Sequence, residues 1–220
     1  MLSDLYILPI LLFSVIIHEI SHGYAALMLG DPTARDSGRL TLNPIPHIDL
    51  VGSILVPLFS LLTVGHIFIA WAKPVPVNPM NFSDQRRDDI IVSSVGPLSN
   101  LVMAIICAIV TVFLFKIQPL FGSSVVVSNF FNFLVKMFFG GIYLNIILGV
   151  FNLLPIPPLD GSHVLSAFLP ASAAEVYSRI GFVGIFLILI LMSIPAFQTV
   201  FYAAINFFYS PLYQLVVSFA

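Results

Sequence analysis

Long apolar runs constrain the fold of this chain more than any other feature of its sequence. A helix needs about 20 mostly apolar residues to cross the hydrocarbon core of a bilayer. Only 8% of the 220 residues are charged, and the mean hydropathy is +1.07. Five runs are candidates for spanning helices: residues 5–29, 90–115, 131–154, 180–197 and 201–220, the last interrupted by Ser210 and Pro211. The sequence therefore predicts an all-α polytopic membrane protein in contact with a lipid bilayer.

A sixth apolar stretch, residues 51–72, is interrupted by Pro57, Gly65 and His66. We predict a re-entrant segment that enters and leaves the membrane on one face, because this puts the following basic residues on one side: Arg35, Arg39, Lys73, Arg86 and Arg87. Basic residues are enriched in cytoplasmic loops, so that side is predicted to be cytoplasmic and the N-terminus external. The prediction is thus about five to six membrane-embedded helices.

Charge and cysteine usage narrow the function classes. The net charge of −2 offers no basic surface for phosphates, which excludes a nucleic-acid partner. Cys107 is the only cysteine, so no intramolecular disulfide can form. No basic residue precedes the first apolar run, and we expect this run to remain in the mature protein. No internal repeat is visible, and residues 1–220 are predicted to form a single membrane-embedded domain.

The first apolar run contains the sequence HEISH, residues 18–22. On a helix, side chains four residues apart lie one turn above each other, so His18 and His22 can both offer a nitrogen to one Zn²⁺. Glu19 lies between them, in the position of a general base in zinc hydrolases. The alternative is a set of packed polar residues, but ionisable groups inside a membrane are costly and mark functional sites.

A catalytic zinc needs a third protein ligand and an open position. Five other side chains are candidates for that ligand: His47, His66, Asp160, His163 and Glu175. Asp160 stands out because it follows a stretch, FNLLPIPPL, in which prolines break an apolar helix. Broken backbone at membrane depth is tolerated where it lines a cavity or is buried in protein. Residue types and spacing alone leave the third ligand open.

Two connections have distinctive sequences. In DSGRLTLNPIPHIDLVG, residues 36–52, the side chains alternate between polar and apolar at Arg39, Leu40, Thr41, Leu42 and Asn43, which predicts a short strand. In WAKPVPVNP, residues 71–79, three prolines exclude a helix and predict extended backbone at the membrane surface.

Three motifs in this order, HEISH, GPLSN and NLLPIPPLDG, resemble the site-2 protease family of intramembrane zinc metalloproteases. The two connections described above also look like those of its short prokaryotic members, which lack PDZ and CBS domains. The resemblance implies that Asp160 is the third ligand of one Zn²⁺ beside His18 and His22, with Glu19 as the catalytic residue. It also implies that Asn152 holds the substrate or the oxyanion.

The resemblance extends to structural and substrate-binding positions. In GPLSN, it implies that Gly96, Pro97 and Asn100 have a structural role in helix packing. The segment Arg39–Asn43 resembles a membrane-associated β-hairpin that presents an edge strand to the substrate. His163 departs from the family pattern, because similar sequences often have arginine at this position.

The function implied is hydrolysis of peptide bonds in or near transmembrane segments, as in regulated intramembrane proteolysis. The partners would be transmembrane protein or peptide substrates, and the location a prokaryotic cytoplasmic membrane. Two alternatives stay open. One is a membrane-bound zinc protein that cuts soluble or interfacial peptides, with Glu175 as third ligand. The other is a non-proteolytic protein that binds or transports metal, or an inactive relative of the proteases.

Overall fold

A computed structural model gives the structure of residues 6–56, 59, 71–121 and 124–219. All regular structure in these residues is helical. Four of the described helices are long and apolar enough to cross a membrane: α1 (Leu8–Met28), α3 (Gln85–Ile117), α4 (Val125–Asn152) and α8 (Pro195–Val217). Shorter helices connect them: α2 (Thr33–Asp36), α5 (Asp160–Ser166), α6 (Ala171–Ser178) and α7 (Gly184–Leu191). The predicted all-α class is confirmed, and the described residues contain four candidate spanning helices where about five to six membrane-embedded helices were predicted.

Local chemistry explains where the long helices begin. Asp84 caps α3, because its side chain accepts a hydrogen bond from the Arg87 amide at 3.0 Å. The Asp88 carboxylate accepts in return from the Asp84 amide at 3.1 Å. Helices α1 and α8 both have proline in their first turn, where its missing N–H costs nothing.

The core lies where α3 packs along α4 and against α1, with α8 covering the other side. Gly141 of α4 illustrates the close approach, since a Cβ there would lie 2.9 Å from Ile10 Cγ1 and 3.0 Å from Cys107 Sγ. The apolar cluster around this contact consists of Ile10, Ala104, Cys107, Ala108, Met137, Ile142, Ile146, Val150, Phe201, Ile205 and Val216.

The predicted spanning helix over residues 180–197 is wrong. A 3₁₀ turn at Gly181–Val183 leads into α7, whose eight residues span only about 12 Å. Ile194 is extended (φ −91°, ψ 117°) because Pro195 follows it, and α8 begins at that proline. Helix α8 then continues through Pro211, where an interruption was predicted.

The predicted β-hairpin is also wrong, since no strand occurs in the part of the chain that the structure describes. Local side-chain contacts curl the segment instead. The Asn43 amide donates to Thr41 Oγ1 at 3.2 Å, and the Ile45 amide donates to Asn43 Oδ1 at 3.1 Å. Turns of this kind compete with extended pairing, and a 3₁₀ turn at Ile45–His47 follows at once.

The re-entrant segment predicted over residues 51–72 is only partly described. Its beginning, Leu50–Leu55, forms π-helical turns with Asp49 as N-cap. Residues 57, 58 and 60–70, including His66, lie outside the described residues. The backbone of residues 71–78 follows, and it is not helical, as its prolines predict.

Candidate metal centre

His18 and His22 extend from neighbouring turns of α1, and Asp160 is the first residue of α5. His18 Nε2 and His22 Nε2 are 3.1 Å apart. Asp160 Oδ2 lies 3.1 Å from the first of these nitrogens and 3.4 Å from the second. Three potential ligand atoms therefore converge on one point. His18 is 10 residues from either end of α1, or about 15 Å, so this point is at the middle of a membrane-spanning helix.

Hydrogen bonds to the opposite ring nitrogens determine the histidine tautomers. His18 Nδ1 lies 2.7 Å from Asn100 Oδ1, and His22 Nδ1 lies 2.7 Å from the Val92 carbonyl oxygen. Both oxygens accept, so each Nδ1 must carry the proton and donate it. In the neutral rings the two Nε2 atoms then present lone pairs toward each other and toward Asp160.

Asp160 reaches the histidines because the chain turns back after α4. Gly161 makes this possible, since a Cβ on it would overlap the Leu153 carbonyl oxygen. The Tyr177 hydroxyl donates to the Pro155 carbonyl at 2.7 Å and holds the connecting segment. The Pro157–Pro158 peptide bond in this segment is cis.

Asp160 Oδ2 is buried and accepts no hydrogen bond. An unpaired carboxylate oxygen facing two nitrogen lone pairs is unfavourable unless a cation lies between them. Zinc ligands at about 2.0–2.2 Å in a tetrahedron are about 3.3–3.6 Å apart, close to the three distances here. The donor set fits a divalent zinc ion.

Glu19, between the two histidines, is half-buried and contacts the proline-rich segment. The Val75 backbone amide donates to Glu19 Oε2 at 2.8 Å. Gly23, one turn further along α1, allows this approach, because a Cβ there would lie 2.9 Å from Val75 Cγ1 and 2.6 Å from Leu40 Cδ2. The carboxylate is thereby held between the helix and non-helical backbone.

Two buried side chains hold the proline-rich segment in this position. Arg39 Nη2 donates to the Lys73 carbonyl oxygen at 2.6 Å. The Asp31 carboxylate accepts from the Asn78 amide at 2.7 Å and from Asn81 Nδ2 at 2.6 Å. Burial alone would raise the pKa of Asp31, but these bonds and those from Thr33 lower it below the ordinary value.

The GPLSN motif contacts the histidines directly. A Cβ at Gly96 would overlap His22 Nε2 and lie 2.8 Å from His18 Cε1, so only glycine leaves room for both rings. Pro97 is fully buried, and its carbonyl oxygen lies 3.0 Å from a Cβ built at Gly149 of α4. Asn100 was predicted to pack helices, yet its side chain also accepts the His18 hydrogen bond.

Comparison with known proteins assigns the chain to a family. A model described as peptidase family M50 matches residues 77–192. A Bacillus subtilis protein named "Putative zinc metalloprotease YwhC" is 35% identical over 91% of this chain and 86% of its own length. The chain belongs to peptidase family M50. This is the family of the site-2 proteases, so the resemblance found in the sequence is confirmed.

Mycobacterial relatives of this M50 peptidase give the same assignment. A Mycolicibacterium smegmatis protein named "Putative zinc metalloprotease Rip2" is 28% identical over 90% of the chain and 70% of its own length. A Mycobacterium tuberculosis protein of the same name is 30% identical over 72% of the chain and 55% of its own length. No solved structure gives a significant match.

The other described candidates for the third ligand of the M50 peptidase lie elsewhere. Glu175 is exposed and pairs with Arg179 at 2.7 Å, one turn along α6. His47 is buried, and its Nε2 donates to the Thr41 carbonyl oxygen at 2.9 Å. His163 Nδ1 is 3.3 Å from Asp89 Oδ2; this pairing raises the pKa of His163, although burial opposes it. Of the described candidates, Asp160 is the one that joins the histidines.

Asn152 is the last residue of α4, and its described hydrogen bond stays within that helix. Its Nδ2 donates to the Leu148 carbonyl oxygen at 3.0 Å. One proton of the amide nitrogen remains for another acceptor.

Three groups at the site of the M50 peptidase are not evident from the sequence. They are the Val92 carbonyl, the Val75 amide and the side chain of Asn145, which is fully buried in α4. The two backbone groups leave no trace in a single sequence. Asn145 is visible in the sequence, because a side-chain amide in the middle of an apolar spanning run needs a hydrogen-bond partner in lipid.

Proposed function

We propose that the chain is an intramembrane zinc metalloprotease that hydrolyses peptide bonds in or near transmembrane segments of membrane proteins. The observation that carries this proposal is the convergence of His18, His22 and Asp160 at the middle of α1. A metal site at that depth is adjacent to the membrane-embedded part of a substrate. Membership of a peptidase family and relatives named as zinc metalloproteases support the reaction and the metal.

In this proposal His18 Nε2, His22 Nε2 and Asp160 Oδ2 would hold Zn²⁺. When bound, the ion supplies Lewis acidity, which polarises a peptide carbonyl and makes a water molecule acidic enough to lose a proton near neutral pH. Three protein ligands leave the open position that a catalytic zinc requires. Gly96 keeps the space around both imidazoles free for this arrangement.

Glu19 is the proposed general base and acid. It takes the proton of the attacking water and delivers it to the leaving amine as the peptide bond breaks. Its second carboxylate oxygen is free for this exchange, because the Val75 amide donates to Oε2. That bond fixes the rotation of the carboxylate, so the other oxygen is directed toward the metal side.

Asn152 is the proposed donor to the developing oxyanion. One proton of its Nδ2 is bonded to the Leu148 carbonyl oxygen, which fixes the amide plane, and the other remains available. A donor held in advance lowers the energy of a transition state more than one that must reorient.

The substrate must unwind before it can be cut, because each helical carbonyl is shielded by its own turn. Unpaired backbone groups in lipid cost several kcal/mol each, roughly, unless protein groups satisfy them. Arg39, Leu40, Thr41, Leu42 and Asn43 stay predicted substrate-binding residues, now as a turn and not as an edge strand. Their position beside Glu19 supports this, since Leu40 packs on α1 at Gly23.

We further propose that residues 1–220 act as one domain in a prokaryotic cytoplasmic membrane. The bacterial relatives support this location. The basic residues around Arg39 and Arg86 would face the cytoplasm, following the usual loop bias.

The test is co-expression of the wild type, Glu19→Gln or the control Glu175→Gln with a panel of single-span membrane proteins. Fragments should appear with the wild type and Glu175→Gln and be absent with Glu19→Gln, although the purified Glu19→Gln protein retains zinc. Equal fragments from Glu19→Gln would contradict the proposal. Cleavage restricted to soluble peptides would favour an interfacial protease, and zinc flux that persists in Glu19→Gln would favour a transporter.

A further inference from the structure

Two buried asparagine side chains form a hydrogen-bond network that leads from the centre of the helix bundle to the candidate metal centre. Asn145 in α4 and Asn100 in α3 are both fully buried. Asn145 Nδ2 donates to the Gly141 carbonyl oxygen at 2.9 Å. Asn100 Nδ2 donates to Asn145 Oδ1 at 3.1 Å and points toward the Ser14 carbonyl oxygen at 3.4 Å. The network ends at His18 Nδ1, which lies 2.7 Å from Asn100 Oδ1.

Two acceptors orient the Asn100 amide: Asn145 Oδ1 at 3.1 Å and, at the longer distance of 3.4 Å, the Ser14 carbonyl oxygen. The shorter bond depends in turn on the orientation of Asn145. The Gly141 carbonyl can only accept, so the nitrogen of the Asn145 amide must face it and the oxygen must face Asn100. Asn100 then has to turn its own nitrogen toward Asn145, which leaves its oxygen facing His18. That oxygen can only accept, so the His18 proton is on Nδ1 and Nε2 keeps its lone pair.

The second histidine needs no such support. His22 Nδ1 donates to the Val92 carbonyl oxygen, a backbone group of α3 that cannot turn round. A side-chain amide can rotate by 180° and exchange its oxygen for its nitrogen. With the nitrogen of Asn100 facing the ring, His18 would be held with its proton on Nε2, and the nitrogen that faces the site would have no lone pair for a metal ion.

We propose that Asn145 is a positioning residue for the metal: through Asn100, it keeps His18 in the tautomer whose Nε2 binds the ion. This inference rests on the proposed zinc site, and it adds a residue that touches neither metal nor substrate. Partners of this kind fix ring orientation and tautomer in metal sites, and their loss costs about 10- to 100-fold in metal affinity.

The test measures zinc affinity by chelator competition on the purified full chain in detergent, with the absorption spectrum of the Co²⁺-loaded protein as a second readout. Asn145→Leu should weaken zinc binding about 10- to 100-fold. Asn145→Ser should act in the same direction, because a helical serine turns its hydroxyl to the carbonyl four residues back, as Ser14 does to Ile10. If the leucine variant does not fold, the serine variant still tests the proposal.

Two variants control for the loss of a buried polar group. Asn145→Asp should bind zinc within about 3-fold of the wild type, since a carboxyl group buried among apolar helices stays protonated and reproduces both hydrogen bonds. Thr111→Val removes another fully buried hydrogen bond of α3, to the Cys107 carbonyl at 2.7 Å. It should leave zinc affinity and the Co²⁺ spectrum unchanged.

The decisive comparison uses Asn100→Asp as background. A carboxylate at position 100 has no N–H, so whichever oxygen faces His18 accepts and the ring keeps its proton on Nδ1 without help from residue 145. In this background Asn145 Oδ1 faces another acceptor, so its removal takes away a repulsion and not a support. Asn145→Leu should then cost less than about 3-fold. An equal loss in both backgrounds, or wild-type affinity in Asn145→Leu alone, would overturn the proposal and leave Asn145 a packing residue. Because binding is measured without substrate, a chain that binds zinc but cleaves nothing would refute the proposed function alone.

Discussion

The two sides of the candidate site are built in different ways. On the metal side, ligands project from α1 and α5 and are supported by buried groups of α3 and α4. On the base side, Glu19 is held by one amide of a non-helical segment, which Arg39 and Asp31 tether by side-chain bonds. Helix packing therefore fixes the metal ligands, whereas a segment with few backbone partners fixes the base. We expect substitutions on the metal side to abolish or strongly weaken zinc binding. Substitutions in the segment on the base side should lower kcat while zinc stays bound.

The largest effect is expected from Asp160→Ala. Loss of this ligand leaves two nitrogens for the ion, so zinc content should fall below stoichiometric and proteolysis below detection. Zinc analysis of the purified protein together with the fragment assay checks this. Glu175→Ala is the matched control, since that carboxylate is exposed and paired with Arg179. The reverse pattern, with Glu175→Ala inactive and Asp160→Ala active, would transfer the third ligand to α6.

Gly96→Ala should come next. The added methyl group would overlap His22 Nε2, so we expect zinc affinity to fall at least about 10-fold, as when supporting contacts of a metal site are lost. Gly140→Ala provides the comparison, because its Cβ would meet the flexible end of Ile7 at 2.9 Å and the Tyr6 ring at an ordinary contact distance of 3.4 Å. Equal affinities for the two variants would mean that α3 can shift, and the contrast between the two sides would weaken.

Val75→Pro tests the base side, because proline has no amide proton to donate to Glu19. Losing a hydrogen bond to a charged group should lower kcat roughly 10-fold. Zinc affinity should not change, since no hydrogen bond or ion pair joins the three proposed ligands to this segment among the described residues. Val77→Pro is the control, because no hydrogen bond from its amide occurs among the described residues. A loss of zinc in Val75→Pro would show that the two sides are not independent.

The smallest effect concerns Asp31→Asn. The folded-state pKa of Asp31 is lowered, so its stabilising contribution is complete above its unfolded pKa of about 3.9 and is lost as the pH falls through the folded value. At pH 7 the variant should be less stable by about 1–3 kcal/mol, because an amide nitrogen would face donors. The difference from wild type should shrink below pH 4.

Fluorescence of Trp71, the only tryptophan, reports unfolding of this segment directly. Asp36→Asn is the control, since Asp36 is exposed and pairs with Arg35 at the surface. A difference between Asp31→Asn and wild type that stays constant from pH 7 to pH 3 would contradict the linkage.

The sequence predicted the parts of this molecule that depend on local spacing. HEISH on an apolar run gives two histidines one turn apart at mid-membrane, and the motif resemblance supplied Asp160. The predicted spanning helix over residues 180–197 was wrong because hydropathy does not report backbone conformation. Pro195 holds Ile194 extended, and this ends the preceding helical segment. The predicted strand at Arg39–Asn43 was wrong because the alternation of polar and apolar residues does not show which hydrogen bonds form. The side chains of Thr41 and Asn43 accept hydrogen bonds from nearby backbone amides and curl the segment.

The contacts made by the supporting groups could not be predicted from the sequence, for a different reason. Asn100 and Asn145 are 45 residues apart, and their contact depends on how α3 and α4 pack. No periodicity within either helix encodes that register. The Val75 amide is likewise a backbone group whose partner, Glu19, lies 56 residues earlier.

The distance along the chain between the ligands affects how the protein is made. His22 and Asp160 are 138 residues apart, so at a synthesis rate of roughly 5–20 residues per second the proposed third ligand is made on the order of ten seconds after the second. During that interval α1 can be in the bilayer with an incomplete ligand set. On the proposed ligand set, the newly made chain lacks a complete metal site, and the site forms only when the chain folds back at Gly161.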